Sequence, residues 1–260
     1  VWGKSQSPVS NLSDVEVKQI HWPSFDGTRI SGFMMTPGNV IRESGLPVLI
    51  DIHGGPTARH KPDFSARDLF FATELSFAMV FPNIRGSSGF GKDFEDLDNG
   101  AKRGDAVQDI LTLLDWIKKQ PGLDSKRVFL RGSSYGGFIA LAAGLKAKGQ
   151  IKGIIAEYPL ISIREDVLKN SGNIRELWES EYGRLDDELV MSKVESLSLL
   201  NADLSKWEIP VLFAVGKNDT RISPLSVQKV KDRLEANGVR VGMVESSREG
   251  HGFTDYETFR

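Results

Sequence analysis

The 260-residue chain contains no cysteine. A thiol nucleophile, a disulfide framework and any thiolate metal site are therefore excluded. The compartment is not settled by this, because a chain without thiols tolerates reducing and oxidising surroundings alike. Charge of one sign is also lacking: 33 Lys and Arg against 35 Asp and Glu leave a formal net charge of −2. That gives no electrostatic basis for binding nucleic acid or an anionic membrane. No apolar run approaches the roughly 18 residues needed to cross a bilayer. The opening stretch VWGKSQSPVSNLSD has neither the charged start nor the apolar run of a signal peptide, and no initiator Met precedes it. Residues 1–14 are read as a linker-like segment of a processed chain or an excised domain, and a cytoplasmic location is the favoured expectation. Histidine is scarce as well, with four in the chain, which restricts the choice of any imidazole base.

What is present is the material of one large soluble domain. Hydrophobic residues make up 40% and charged residues 26% of the chain, enough for a sizeable core. VEVKQIHW (15–22) and RISGFMMT (29–36) read as half-exposed strands around an Asp26-Gly27 turn. LPVLIDIH (46–53) and FAMVFPNI (77–84) are almost continuously apolar, as strands buried on both faces are. Helical spacing is predicted over 63–76 and over 104–120, where Val107, Ile110, Leu111, Leu114 and Ile117 share a face. Further strands are predicted at 127–132, 151–158, 210–216 and 239–245, with helices from Tyr135 to about residue 148 and over 223–238. This alternation implies an α/β domain with a mostly parallel sheet and helices on both faces. Residues 160–205 break the pattern and read as an irregular insertion covering one end of the sheet.

Gly132-Ser133-Ser134-Tyr135-Gly136 fits G-x-S-x-G with Ser134 at the centre, whereas Ser133 would need a glycine where Arg131 stands. The pattern places a nucleophile on a strained strand-to-helix turn of the α/β-hydrolase fold, beside the unpaired N–H groups of the helix start. A capped tight turn is the bland alternative. A serine hydroxyl needs a base, and the chain order in this fold is Ser, acid, His. His251, between Gly250 and Gly252, is the single histidine that follows Ser134. Asp219, after the strand PVLFAVG, is the candidate acid to orient it, against a plain Asx turn as the other reading. Asp203 lies before that strand and Asp232 within a predicted helix, which makes both weaker rivals. Two oxyanion donors are expected: the N–H of Tyr135, and one from the loop His53-Gly54-Gly55-Pro56. His53 precedes the nucleophile and is read as ordering that loop.

These residues, with FDGTRISGFMMTP, DIHGGP, FPNIRGSSGFGKDF, VGKNDTRISP and EGHGF in that order, give a chain that resembles the catalytic domain of the prolyl oligopeptidase family of serine peptidases. The acylaminoacyl-peptidase and dipeptidyl-peptidase-like branches are the nearest in pattern. The resemblance runs from about Val15 to Phe253. It implies that Ser134, Asp219 and His251 form a triad, that Gly55 and Tyr135 supply the oxyanion N–H groups, and that the loop 83–91 shapes the cleft with Arg85 structural. It also implies that the segment 156–166 builds the pocket for the residue before the scissile bond, through Tyr158, Leu160, Ile161 and Ile163. Members that favour proline place a Trp there, which this segment lacks. Trp178 and Tyr182, in the insertion, are read as core packing, with a ring supplied to the pocket from another direction as the alternative. The resemblance further implies a β-propeller in the parent chain and a final helix after the histidine loop. Neither is in this sequence, so truncation at the C-terminal end is expected.

The leading expectation is a serine hydrolase that cleaves amide bonds of short peptides through an acyl-enzyme, with no cofactor and no metal. A carboxylesterase acting on small esters is the first alternative. A hydrolase-fold module without activity, serving as an interaction domain, is the second. Oligomerisation is left open.

Overall fold

A computed structural model describes residues 15–38, 43–147, 149–169 and 171–253. Strand β1 (Val15–Pro23) turns back antiparallel on β2 (Arg29–Pro37), with Trp22 opposite Ile30. The turn between them is closed by Thr28 N–H donating to Asp26 Oδ1 at 3.0 Å. β2 lies antiparallel to β4 (Ala78–Asn83), which runs parallel to β3 (Leu46–Ile52). From β3 the sheet continues in parallel through β5 (Leu123–Ser133), β6 (Ile151–Glu157), β7 (Val211–Gly216) and β8 (Val241–Ser246). The order across the sheet of described strands is β1-β2-β4-β3-β5-β6-β7-β8. Every residue of β3 and β4 is buried, which accounts for their unbroken apolar sequence.

Crossovers are made by α1 (Ala66–Thr73), by a loop with the short helix α2 (Lys92–Glu95) followed by α3 (Arg103–Ile117), and by α4 (Tyr135–Lys146). Helix α1 is shorter than its periodicity predicts: Ser65 caps it by accepting from Asp68 N–H, and Ser76 beyond it takes a positive φ of 54°. Helix α4 is buried continuously from Tyr135 to Gly144. Its small residues let it lie directly on the sheet, with α3 packed against it.

The segment 160–205 differs from the irregular insertion predicted. Its described residues form three helices, α5 (Ile163–Lys169), α6 (Gly172–Tyr182) and α7 (Glu188–Glu195). They are short and charged, and α5 and α7 have too few turns to build a long period, whereas Ile174, Leu177, Trp178 and Tyr182 of α6 do follow helical spacing in the sequence. Asp187 caps α7 by accepting from Val190 N–H at 3.0 Å. The last crossover, α8 (Pro224–Ala236), starts with Pro224 in its first turn. The main core lies between the sheet and α3, α4 and α8, and a smaller one of Leu49, Ala72, Met79 and Phe81 lies under α1. No helix among the described residues is long and apolar enough to cross a membrane.

Candidate active site

The C-terminal end of β5 runs into α4 through Ser134, whose backbone takes φ 55° and ψ −119°. A residue with a side chain rarely holds this conformation. Glycine is required on both sides for lack of space. A Cβ on Gly132 would lie 2.3 Å from the Gly136 backbone, and one on Gly136 would lie 2.0 Å from the Ile52 carbonyl oxygen. The turn is held by its own backbone: Ser134 N–H donates to Glu157 O at 2.9 Å, and Ser134 O accepts from Phe138 and Leu160 N–H at 3.2 Å each. The Ser134 hydroxyl is thereby lifted off the end of the sheet.

His251 and Asp219 come to it from the loops after β8 and β7. Asp219 can only accept, so His251 Nδ1–H donates to its Oδ2, at 2.8 Å. That leaves Nε2 to accept from the Ser134 hydroxyl, at 3.0 Å. The second Asp219 oxygen accepts from the N–H groups of Arg221 and Ile222, at 2.8 and 2.9 Å. Burial pulls the Asp219 carboxyl upward, but the His251 hydrogen bond and these N–H donors outweigh it and hold the group below the usual carboxylate range. The acid is therefore ionised at neutral pH. The rivals stand apart: Asp203 is exposed and accepts from Ser205 N–H, while Asp232 is exposed and accepts from Gln228. Such a hydroxyl–imidazole–carboxylate chain can accept the proton of an attacking serine and return it to a leaving group.

The loop after β3 abuts this chain. A Cβ on Gly54 would sit 3.6 Å from Ser134 Cβ, and Gly55 holds φ 125°. His53 fixes the loop, with Nδ1–H donating to Gly54 O at 2.7 Å and Nε2 lying 2.8 Å from Ser87 Oγ. Burial holds the His53 imidazole below its ordinary pKa, which keeps it neutral and in a structural part. Tyr135 is the first residue of α4, where helical geometry leaves its N–H without an intrahelical acceptor. Arg85 is buried, chelating Asp109 at 2.9 Å and Asp26 at 3.0 Å and so tying the 84–91 loop to α3 and the β1–β2 turn.

The four residues expected to line a substrate pocket divide. Tyr158 takes a positive φ of 35°, and its ring meets His251 edge-on at 4.9 Å and Phe253 at 6.0 Å. Leu160, Ile161 and Ile163 instead fill the main core, at 1%, 1% and 0% exposure, and offer a substrate no surface. The apolar run misled because core packing uses the same residue types as a pocket wall. Tyr182 is buried in the core, its ring 6.3 Å from that of Tyr135, and the partly buried Trp178 packs on it at 5.5 Å. Two groups escape sequence reasoning. Arg131, directly below the turn, joins Asp51 at 3.0 Å and Glu157 at 2.7 Å across three strands. Phe253 closes the EGHGF motif, which gives no sign that its ring meets Tyr158 at 6.0 Å.

A sheet with eight described strands in this order, with a serine on a strained turn between β5 and α4, defines an α/β-hydrolase domain. The chain belongs to the prolyl oligopeptidase family, whose profile matches residues 62–258. It is similar to dipeptidyl aminopeptidase BIII of Pseudoxanthomonas mexicana, with 28% identity over 81% of this chain and 31% of that protein. Similarity to acylamino-acid-releasing enzyme 1 of Oryza sativa subsp. japonica is 26% over 82% of this chain and 29% of that one. In fold it matches a solved prolyl endopeptidase with a TM-score of 0.85 at 20% identity, over 95% of this chain and 36% of the other. The acylaminoacyl peptidase of Pyrococcus horikoshii gives 0.80 at 22% identity, over 93% and 38%. The chain thus spans about a third of the length of these relatives.

Proposed function

We propose that this chain is the catalytic domain of a serine peptidase that hydrolyses amide bonds of short peptides through an acyl-enzyme. The observation that carries the reading is the continuous hydrogen-bonded chain Ser134–His251–Asp219 on a strained turn, at 3.0 and 2.8 Å. Ser134 Oγ attacks the carbonyl carbon as its proton passes to His251 Nε2. Asp219 holds the imidazole in the right tautomer and stabilises its cation. The tetrahedral oxyanion is received by the N–H groups of Tyr135 and Gly55. Collapse breaks the C–N bond, and His251 delivers its proton to the departing amine. Water, deprotonated by His251, then attacks the acyl-enzyme carbonyl, and Ser134 recovers its proton as the acid leaves. Tyr158, against the His251 ring, forms one wall of the subsite beside the scissile bond.

The relatives named as dipeptidyl, acylamino-acid-releasing and prolyl peptidases support a peptide substrate, as does family membership. Their roughly threefold greater length supports a further domain in the parent chain, for which a β-propeller that restricts access is our proposal. The test compares matched peptide anilide and ester substrates. Anilide turnover abolished by Ser134→Ala is expected. Turnover of the ester alone would move the reading to a carboxylesterase, and a folded protein inert toward both would leave a binding module.

A further inference from the structure

Tyr135 joins the nucleophilic turn to a buried ion pair. Its hydroxyl donates to Asp98 Oδ2 at 2.8 Å and accepts from Arg103 Nη1 at 3.1 Å, and the same Arg103 nitrogen is paired with Asp98 Oδ2. Tyr135, Asp98 and Arg103 are all 0% exposed. They converge from three places: the first residue of α4, a 3-10 turn at Asp96–Asp98, and the first residue of α3. Arg103 also reaches the end of α6. Its Nη2 donates to the Glu181 carbonyl at 2.5 Å, and its guanidinium carbon lies 4.7 and 5.2 Å from the ring centres of Tyr182 and Tyr135. Burying two charges contributes little net stability compared with apolar packing, whereas it does fix direction and distance.

We propose that Asp98 and Arg103 are positioning residues for the oxyanion hole, which hold the Tyr135 side chain and through it the direction of the Tyr135 N–H. The inference rests on reading that N–H as an oxyanion donor. The Ser134–Tyr135 peptide has two ends. Its carbonyl is anchored by the N–H groups of Phe138 and Leu160. Its other end is anchored by the Tyr135 side chain, at a residue whose neighbour holds a strained φ and gains by relaxing. The same guanidinium seats α6, so the insertion and the nucleophilic turn share one fixed point.

An oxyanion exists in the transition state and not in bound substrate, so loosening its donor lowers kcat and spares KM. Tyr135→Phe removes the hydroxyl and keeps the ring and the Asp98–Arg103 pair. With a peptide anilide, we expect kcat to fall roughly 10- to 100-fold, short of the loss of a whole donor. KM should stay within about twofold and phosphonylation by a fluorophosphonate should slow by a factor similar to that in kcat. A wild-type protein that does not react at Ser134 overturns the acyl-enzyme reading, and the positioning role falls with it. A reactive wild type with a Tyr135→Phe variant whose kcat and labelling rate stay within about twofold overturns the positioning role alone; a rise in KM matching any loss does the same. If Tyr135→Phe does not fold, Asp98→Asn is the second variant. Lower kcat at constant KM supports the role, and unchanged kcat overturns it.

Discussion

At Ser134 a backbone strain, a neighbouring base and a helix start meet at one hydroxyl, while Ser133, one residue earlier, has none of the three. Ser134→Ala should abolish hydrolysis with the fold intact, and Ser133→Ala should retain most of it, measured as kcat/KM on one anilide. Asp219→Asn should lower kcat by about 10⁴ through loss of the imidazole tautomer; a mild effect would remove Asp219 from the mechanism. Asp51 offers a test of a different kind. Burial, with the nearby Asp68 and Glu157 carboxylates, outweighs its Arg131 partner and raises its pKa from 3.8 to about 6. Below 3.8 folded and unfolded chains both carry this proton. Between 3.8 and about 6 the unfolded chain has released it and the folded one has not, so Asp51 lowers stability as pH rises through that window. Urea midpoints for Asp51→Asn should therefore gain on the wild type from pH 4 to pH 6 and run parallel above it. A constant difference would refute the assignment.

At the scale of elements, the β5–α4 junction is the least tolerant part of the fold. Gly136→Ala would press a methyl into the Ile52 and His53 carbonyls, at 2.0 and 2.5 Å. Overpacking of this severity should cost about 3 kcal/mol or more, read from denaturant unfolding. The junction was also the most legible element, because its glycines, its serine and the apolar strand before it are local in sequence. The insertion was the least legible. Helices of seven to eleven residues are too short to carry a long period, and Leu160, Ile161 and Ile163 read alike as core or pocket. Arg103 gave no sign of its role: in sequence it is one basic residue in Lys102-Arg103-Gly104, and only the fold brings it to Tyr135 and Tyr182.

For the whole molecule, the two faces of the sheet are unequally covered by the described residues. Phe213 on β7 is buried in the main core, whereas Leu212 beside it faces the other side at 39% exposure and Val244 on β8 is 51% exposed. Phe213→Ala should cost about 3–5 kcal/mol, and Leu212→Ala about 1 kcal/mol or less, in the chain as given. Equal losses would mean that the second face is packed as fully as the first. Long-range order in the sequence made the overall architecture legible: eight strand-like runs, a serine after the fifth, an acid after the seventh and a histidine after the eighth. The claim that depends on all of these together is that they assemble into one reactive centre. Fluorophosphonate labelling followed by peptide mass mapping tests it most directly. The account predicts one modified residue, Ser134, with labelling lost in His251→Ala; a folded sample that stays unmodified, or carries the label on Ser133, would contradict it.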